Sequence, residues 1–173
     1  MKYFVSCTSA TNIKEEYYNI TKEVITKIYE NNNEIYLGIL LENISEVLNK
    51  CSDKITCYSL EEYKEELKNC PKCNYIIVNN QFERTKKLID ETDRLIILPG
   101  GTGTLLELFG ALEQYKIEHN DKKIIIINYN NFYNEIITLL NKMVEENLLK
   151  KEYLNYIKVI DIDELDNILK EGI

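Results

Sequence analysis

The sequence contains one histidine, six glycines and no apolar run longer than a single strand. The histidine, His119, lies in the polar stretch of residues 118–121, so catalytic arrangements that need a histidine base are not expected. Apolar runs such as residues 124–127 are far shorter than the roughly 20 residues that a membrane-spanning helix requires. These scarcities exclude His-dependent triads and predict no membrane span.

Charge and length set further limits. The formal net charge of -8 provides no general basic face, so a nucleic-acid backbone is not an expected partner, although a small anion needs only a local positive field. A chain of 173 residues is typical of one domain, and we expect residues 1–173 to form it. The first residues enter an apolar strand-like segment without a signal-peptide pattern, which predicts a cytoplasmic location.

The five cysteines are an odd number, and without a signal peptide they predict reduced thiols. Cys70 and Cys73 form a lone C-x-x-C pair, which together with Cys51 and Cys57 could make a four-thiolate zinc site. The spacing of Cys51 and Cys57 is wrong for a second zinc knuckle, so no metal is expected. The lysines follow polar helix and turn patterns, which argues against a Schiff-base cofactor, and no cofactor is expected.

Hydrophobic periodicity predicts strands that alternate with helices along the chain. Runs that are apolar throughout are typical of parallel strands covered on both faces. Ser59 and Glu62 are placed as a capping box at the start of the third predicted helix. The pattern predicts an α/β fold, a Rossmann-like doubly wound parallel sheet with helices on both faces and ligands at the carboxyl ends of the strands. The predicted strands are residues 2–7, 34–40, 54–58, 75–78, 94–98, 123–128 and 157–160, and the predicted helices are residues 12–30, 43–50, 59–69, 82–91, 104–118, 131–146 and 163–170.

Three of the six glycines cluster between a predicted strand and a predicted helix. Glycines there permit positive φ angles and let a ligand approach the main chain. Successive backbone amides and the positive end of the helix dipole suit an anion, and two threonines add hydroxyl donors, so we expect phosphate to bind here. A tight turn without a ligand is the alternative, and the loop has neither the Walker lysine nor the G-x-G-x-x-G spacing. The segment is Pro99-Gly100-Gly101-Thr102-Gly103-Thr104.

Glu107 follows this loop by about one turn, and two interpretations of it remain open. With Thr104 it fits a capping box, in which the glutamate returns to the backbone at the helix start. A carboxylate beside a bound phosphate is also well placed to act on the sugar of a nucleotide. The residues alone favour neither interpretation.

At these residues the sequence resembles the Lonely Guy (LOG) family, whose members are often described as lysine decarboxylases. The family pattern P-G-G-x-G-T-x-x-E matches residues 99–107 at every fixed position. A second pattern places an aspartate nine residues after an arginine, and Arg84 and Asp93 have that spacing. Residues 128–133 are similar to the family's N-V-D-G-Y-Y segment, and residues 7–10 to its C-G-S-S turn.

The resemblance implies a homodimer that hydrolyses the N-glycosidic bond of a nucleoside 5'-monophosphate, AMP or a cytokinin-type derivative, to a free base and ribose 5-phosphate. Arg84 and Glu107 match the family's catalytic pair. A carboxylate near the anomeric carbon can stabilise an oxocarbenium-like state and position water, while an arginine suits phosphate or ribose oxygens. Thr8 and Ser9, in the turn after the first strand, are expected to join the glycine loop at the phosphate.

The helix predicted over residues 104–118 is apolar on almost every side. A helix of this kind is buried in a core or against a second subunit, which is consistent with the implied homodimer. Its apolar residues are Leu105, Leu106, Leu108, Phe109, Ala111, Leu112 and Tyr115.

Some positions depart from the family pattern. Thr85 stands where a lysine follows the arginine, and Gln81 stands in place of a methionine. A second glycine-rich segment is reduced to a stretch with one glycine, Gly38, while Gln114 and Lys116 replace a tryptophan and a glutamine. These changes leave open a non-catalytic nucleotide-binding or sensing protein on the same fold. A molybdenum-cofactor carrier on a related fold is a more distant alternative.

Overall fold

The computed structural model describes residues 1–38, 44–65, 67 and 72–171. Every predicted strand is found there with small shifts of its ends, apart from residues 39–40 of the second predicted strand, which lie outside the described residues, as does residue 43 of the second predicted helix. Within the described ranges no helix combines the length and the apolarity that crossing a membrane requires. The strands are β1 (Lys2–Ser6), β2 (Glu34–Leu37), β3 (Ile55–Leu60), β4 (Asn74–Val78), β5 (Arg94–Ile97), β6 (Lys123–Ile127) and β7 (Ile157–Ile160). The α-helices are α1 (Glu15–Glu30), α2 (Ser45–Lys50), α3 (Gln81–Glu91), α4 (Thr102–Glu118), α5 (Asn134–Glu145) and α6 (Leu165–Glu171).

The strands form one parallel sheet in the order β4-β3-β2-β1-β5-β6-β7. The chain builds outward in one direction from β1 to β4 and then returns to add β5 on the other side of β1. In open α/β sheets the ligand crevice lies at the carboxyl ends of the strands where such a reversal occurs. Ser6 at the end of β1 pairs with Ile97 at the end of β5, so the loops that follow these strands start side by side.

Helices cover both faces of the sheet, which confirms the predicted doubly wound fold. Ile125 and Ile127 of β6 belong to the apolar core shared with α1, α2 and α6. Ile124 and Ile126 belong to the core shared with α3, α4 and α5. All four isoleucines are fully buried, as expected for a parallel strand that is covered on both sides.

The predicted start of the helix over residues 59–69 is wrong. Ser59 belongs to β3, where it pairs with Ile77 of β4 and is buried. Residues Glu61–Tyr63 form only a short 3₁₀ turn, so the predicted capping box between Ser59 and Glu62 does not form. Pairing with β4 extends β3 two residues beyond its predicted end, and this tertiary contact overrides the local capping signal. Residue 66 and residues 68–71 lie outside the described residues.

In the described part of the chain, four of the five residues with a left-handed backbone are asparagines. Asn32, Asn130, Asn131 and Asn147 have φ angles between 52° and 61°. Asn130 and Asn131 delay the start of α5 to residue 134, three residues after its predicted start. His119 has the same backbone conformation where it ends α4, so this histidine has a structural place in a turn. Asparagine tolerates this backbone region better than most residues that carry a side chain.

Candidate active site

The glycine loop joins β5 to α4 at the carboxyl edge of the sheet. Gly101 immediately precedes α4, which begins at Thr102, two residues earlier than predicted. A Cβ added to Gly100 would lie 2.1 Å from Thr104 Oγ1 and 2.8 Å from Thr104 Cβ. None of Gly100, Gly101 and Gly103 has a φ angle in the left-handed region, so the prediction of positive φ angles is wrong. Close approach of Thr104 is what requires glycine at position 100.

A cavity of about 250 Å³, the main cavity, opens beside this loop. Its walls come from the end of β1 and the turn after it, the residue that follows β2, one side of α3 and the start of α4. Arg84 and Glu107, both predicted to be catalytic, line it together. The residues predicted to bind phosphate also line it, with the exception of Gly100. They are Thr8, Ser9, Gly101, Thr102, Gly103 and Thr104.

The loop presents its backbone to the main cavity. Beyond its own stretch of backbone, a Cβ added to Gly101 or Gly103 would meet no atom of the described residues within 4 Å, so both glycines leave space where a ligand can approach. The first amides of α4 have no carbonyl partner within the helix, and the helix dipole favours an anion there. Thr104 is buried and its Oγ1 donates to the Cys7 carbonyl oxygen at 3.3 Å, which fastens the loop to the turn after β1.

Glu107 lies in the second turn of α4 and is only 7% exposed. Because Gly101 is the residue before the helix, Glu107 is three positions too far along the helix for a capping box. The capping interpretation of Glu107 is therefore wrong. Its carboxylate instead accepts a hydrogen bond at Oε2 from Ser6 Oγ, at the end of β1, and lines the main cavity.

Arg84 reaches the main cavity from the first turn of α3. Its Nη2 donates to Gln81 Oε1, and its buried Nε has no hydrogen-bond partner among the described residues. Gly38, which follows β2, lies between Arg84 and Glu107. A Cβ built there would be 3.6 Å from Arg84 Nε and 3.5 Å from Glu107 Oε1. The guanidinium and the carboxylate therefore approach the same glycine.

Burial is the largest influence on Glu107, and it raises the pKa of this carboxyl above its ordinary value. The hydrogen bond from Ser6 and the positive charge of Arg84 both lower that pKa and so oppose the effect of burial. Burial and the neighbouring Glu107 raise the pKa of Cys7 to about 12, so this thiol stays protonated and is a poor nucleophile. The charged side chains on the described wall of the main cavity are Arg84 and Glu107.

Sequence reasoning missed the contact of Ser6 with Glu107 and the position of Gly38 between the charged residues. The available signal for Ser6 is a hydroxyl at the end of an otherwise apolar strand. Asp93, which has the family spacing from Arg84, lies at the opposite edge of the sheet. There its Oδ2 accepts from the Lys2 amide at 2.8 Å, so the structure does not bring it into the site.

The departures from the family pattern differ in their distance from the site. Gln81 contacts Arg84 directly. Thr85 is buried, and its hydroxyl has no hydrogen-bond partner among the described residues. On α4, Gln114 Nε2 donates to Glu118 Oε1 at 2.9 Å, and Lys116 pairs with a carboxylate of the same helix. Among these four changes, Gln81 is the one that contacts the charged pair.

A second cavity of about 200 Å³ lies on the other side of the loop. It shares Thr8 with the main cavity, and Gly100 forms part of its wall. Tyr17 and Phe132 meet edge to face at its rim, with ring centroids 6.1 Å apart. The remaining lining residues are Ile13 and Pro99, so this cavity is mainly apolar.

Metal binding was an alternative for the cysteines. Across the described ranges, no group of three or more histidine, cysteine, aspartate or glutamate side chains is arranged to hold a metal ion. Cys51 and Cys57 are buried, and Cys73 is partly buried. Cys70, the fourth member of the alternative zinc site, lies outside the described residues.

Comparison with known sequences gives a family match over most of the chain. A family model described as a possible lysine decarboxylase matches residues 24–170. A cytokinin riboside 5'-monophosphate phosphoribohydrolase of Arabidopsis thaliana is 32% identical over 75 residues, which are 43% of this chain and 33% of that protein. A probable enzyme of the same name from Oryza sativa subsp. japonica is 30% identical over 73 residues, 42% of this chain and 30% of that protein. The matches span about a third of the length of these relatives.

Comparison with solved structures supports the fold. A molybdenum cofactor carrier protein from Chlamydomonas reinhardtii superposes with a TM-score of 0.68 over 98% of this chain and 96% of that chain. The two sequences are 12% identical, so this likeness shows a shared fold and nothing about a shared ligand.

Proposed function

The chain belongs to the family whose model is described as a possible lysine decarboxylase and that includes the Lonely Guy phosphoribohydrolases, and on this premise we propose that it hydrolyses the N-glycosidic bond of a nucleoside 5'-monophosphate. The products would be a free base and ribose 5-phosphate. One observation carries the proposal: a single cavity has the glycine loop on one wall and Glu107 with Arg84 on another. AMP is the plainest substrate, and a cytokinin-type nucleotide differs from it in the base.

The 5'-phosphate would bind at the glycine loop and the first turn of α4. Backbone amides at a helix start hold an anion without any lysine, which fits a loop that lacks one. Thr8, Ser9 and Thr102 are close enough to the same cavity to add hydroxyl donors. Gly101 and Gly103 would let phosphate oxygens reach the main chain, because neither position has a side chain.

Glu107 would act at the anomeric carbon of the ribose. As the bond from C1' to the base nitrogen breaks, its electron pair leaves with the base and positive charge develops on the ribose ring. The carboxylate stabilises that charge and orients a water, whose oxygen bonds to C1' while one of its protons ends on the departing base. Arg84 would pair with phosphate or ribose oxygens, for which its planar fork is suited.

Lysine decarboxylation, which the family description suggests, is not favoured. The pyridoxal-phosphate route to that reaction needs a lysine in the site for a Schiff base. No lysine stands on the described walls of the two cavities. The chemistry of the side chains present supports glycosidic hydrolysis better than decarboxylation.

The first test is incubation with AMP and the other nucleoside 5'-monophosphates, with release of free base measured by chromatography. We expect the wild-type protein to release base from at least one of them. Arg84→Ala should raise KM by about tenfold to a hundredfold, because a charge-assisted contact to the nucleotide is lost. Lys86→Ala is the matched control on the same helix. Lys86 is exposed and pairs with Asp90, so this variant removes a cation that does not line the cavity.

Binding of a monophosphate without any base release would contradict the proposal. It would instead identify the chain as a nucleotide-binding or sensing protein on the same fold. An equal increase in KM in Arg84→Ala and Lys86→Ala would show that the effect comes from a general disturbance of α3 and not from the loss of a contact in the site.

We also propose that the protein is a homodimer through the outer face of α4. Burial in the core accounts for the apolar residues on one side of this helix, such as Leu108 and Leu112. Leu106 is 36% exposed and Ile117 is 74% exposed, and their spacing places them on one outer stripe together with Phe109 and the exposed Glu113. Phe82 on the neighbouring α3 is also 74% exposed. A second copy would remove this apolar surface from water.

Replacing Ile117 with glutamate should convert the dimer to a monomer, because the largest exposed apolar contact on this face of α4 would be replaced by a charge without a partner. Size-exclusion chromatography with light scattering measures this change directly. Leu148→Glu is the control, since Leu148 is 79% exposed in the turn that follows α5. The dimer proposal fails if the wild-type protein is monomeric at the highest concentration studied.

A further inference from the structure

The two carboxylate oxygens of Glu107 have different surroundings. Oε2 accepts the hydrogen bond from Ser6 Oγ. Oε1 is the oxygen that lies 3.5 Å from a Cβ position built on Gly38, where Arg84 Nε is also close. One oxygen is therefore held by β1, and the other faces the region between β2 and α3.

We propose that Ser6 is a positioning residue, which holds Glu107 by one oxygen so that the other is presented to the substrate. This inference rests on the proposed function, because it assigns Ser6 a part in the same reaction. Ser6 acts through Glu107 and need not contact the nucleotide itself. Its place in the reaction is to fix the orientation and the charge of the carboxylate.

The location of Ser6 suits this role. It is the last residue of the central strand β1, is 2% exposed and pairs with Ile97 of β5. A serine has one short side-chain torsion, so a fixed strand leaves its hydroxyl little freedom. The contact joins residues 101 positions apart in sequence and links the central strand directly to the helix that carries the carboxylate.

The hydrogen bond matters because Glu107 is buried. Burial favours the protonated carboxyl, while the Ser6 hydroxyl and the Arg84 charge favour the carboxylate. Among the residues that the structure describes, the other titratable group that interacts with Glu107 is the Cys7 thiol, which stays protonated at neutral pH. Arginine remains charged across the range of an enzyme assay. Loss of the Ser6 hydroxyl would therefore move ionisation of Glu107 to higher pH and release Oε2.

The kinetic test compares Ser6→Ala with wild type on the best monophosphate substrate. We expect kcat to fall by about tenfold to a hundredfold, as for loss of one hydrogen bond to a charged group, with KM nearly unchanged. The acid limb of the kcat profile should move to higher pH, because the variant carboxyl needs a higher pH to ionise. Ser6→Thr keeps a hydroxyl and should restore part of the rate and the position of the limb.

Ser59→Ala is the matched control for removal of a buried serine hydroxyl. Ser59 is 6% exposed in β3, and its hydroxyl makes only a 3.5 Å contact with the Leu60 carbonyl. This variant should keep the wild-type kcat and pH profile. The positioning role would be overturned if kcat fell equally in Ser6→Ala and Ser59→Ala and the acid limb of the kcat profile did not move.

A second measurement separates failure of this inference from failure of the proposed function. The carboxyl carbon of Glu107 can be titrated by ¹³C NMR without substrate, with its signal assigned by its absence in Glu107→Gln. We expect the midpoint to lie at higher pH in Ser6→Ala than in wild type. If the wild-type protein releases no base, the hydrolase proposal fails, and this titration alone decides whether Ser6 sets the ionisation of Glu107. Identical midpoints in the two proteins would overturn the inference.

Discussion

Glu107→Gln is expected to lower the rate of base release from AMP by about three orders of magnitude. The amide has nearly the same shape as the carboxylate, but it carries no negative charge to stabilise the ribose cation and cannot accept a proton from water. The dissociation constant for AMP should change only slightly, because the phosphate would be held by the glycine loop on another wall of the main cavity. Steady-state base release and isothermal titration calorimetry measure the two quantities.

Glu113→Gln is the matched control on the same helix. Glu113 is exposed and pairs with Lys116 at 2.6 Å, so the same chemical change is made away from the cavity. This control should keep wild-type activity. A Glu107→Gln variant that retained wild-type turnover would show that the carboxylate is not the catalytic group. Loss of AMP binding in that variant would instead place Glu107 in ligand recognition.

Alanine at the glycine loop should affect stability at one position and ligand binding at another. Gly100→Ala forces the new Cβ against Oγ1 and Cβ of Thr104. The Cβ of Thr104 cannot move away, because it is attached to the backbone of α4. We expect this overpacking to lower the free energy of unfolding by about 3 kcal/mol. For a chain of this length that is a fall in Tm of roughly 6–12 °C, measured by thermal unfolding.

Gly103→Ala should behave in the opposite way. A Cβ at Gly103 meets no atom of the described residues within 4 Å beyond the nearby helix backbone, and Gly103 lies inside α4, so Tm should be unchanged or higher. The new methyl group projects into open space at the loop and should weaken AMP binding by about tenfold, because phosphate can no longer approach the amides closely. Calorimetry in the Glu107→Gln background avoids turnover. Wild-type affinity in Gly103→Ala would contradict phosphate binding at this loop.

The fold was predictable because the signals that define it are local. Strands such as β6 are apolar throughout, and that pattern alone indicates a parallel strand with both faces covered. The glycine loop was recognisable for a similar reason, since its glycines lie within a few residues between a strand and a helix. The start of the helix predicted at residue 59 was wrong because β3 pairs with a strand more than ten residues later in the chain.

The site was harder to predict from the sequence, because its contacts join distant parts of the chain. Nothing near Ser6 in sequence indicates that its hydroxyl contacts Glu107. Only the family resemblance points to Arg84, since an arginine on a helix is more often a solvated residue than a functional one. The family spacing to Asp93 gave no site residue, because Asp93 lies at the opposite edge of the sheet.

Asparagine occupies the left-handed turns, whereas glycine occupies the crowded position 100, and this difference affects how the gene can vary. Left-handed turns at Asn32, Asn130, Asn131 and Asn147 need a permissive backbone but leave room for a side chain. Glycine codons begin with two guanines, whereas asparagine codons begin with two adenines. A coding sequence that drifts towards adenine and thymine can therefore encode asparagine instead of glycine at these turns. Gly100 allows no such exchange, because the obstacle there is the space that Thr104 fills and not the φ angle. The glycine codon at position 100 thus marks a place where mutational drift meets a steric limit.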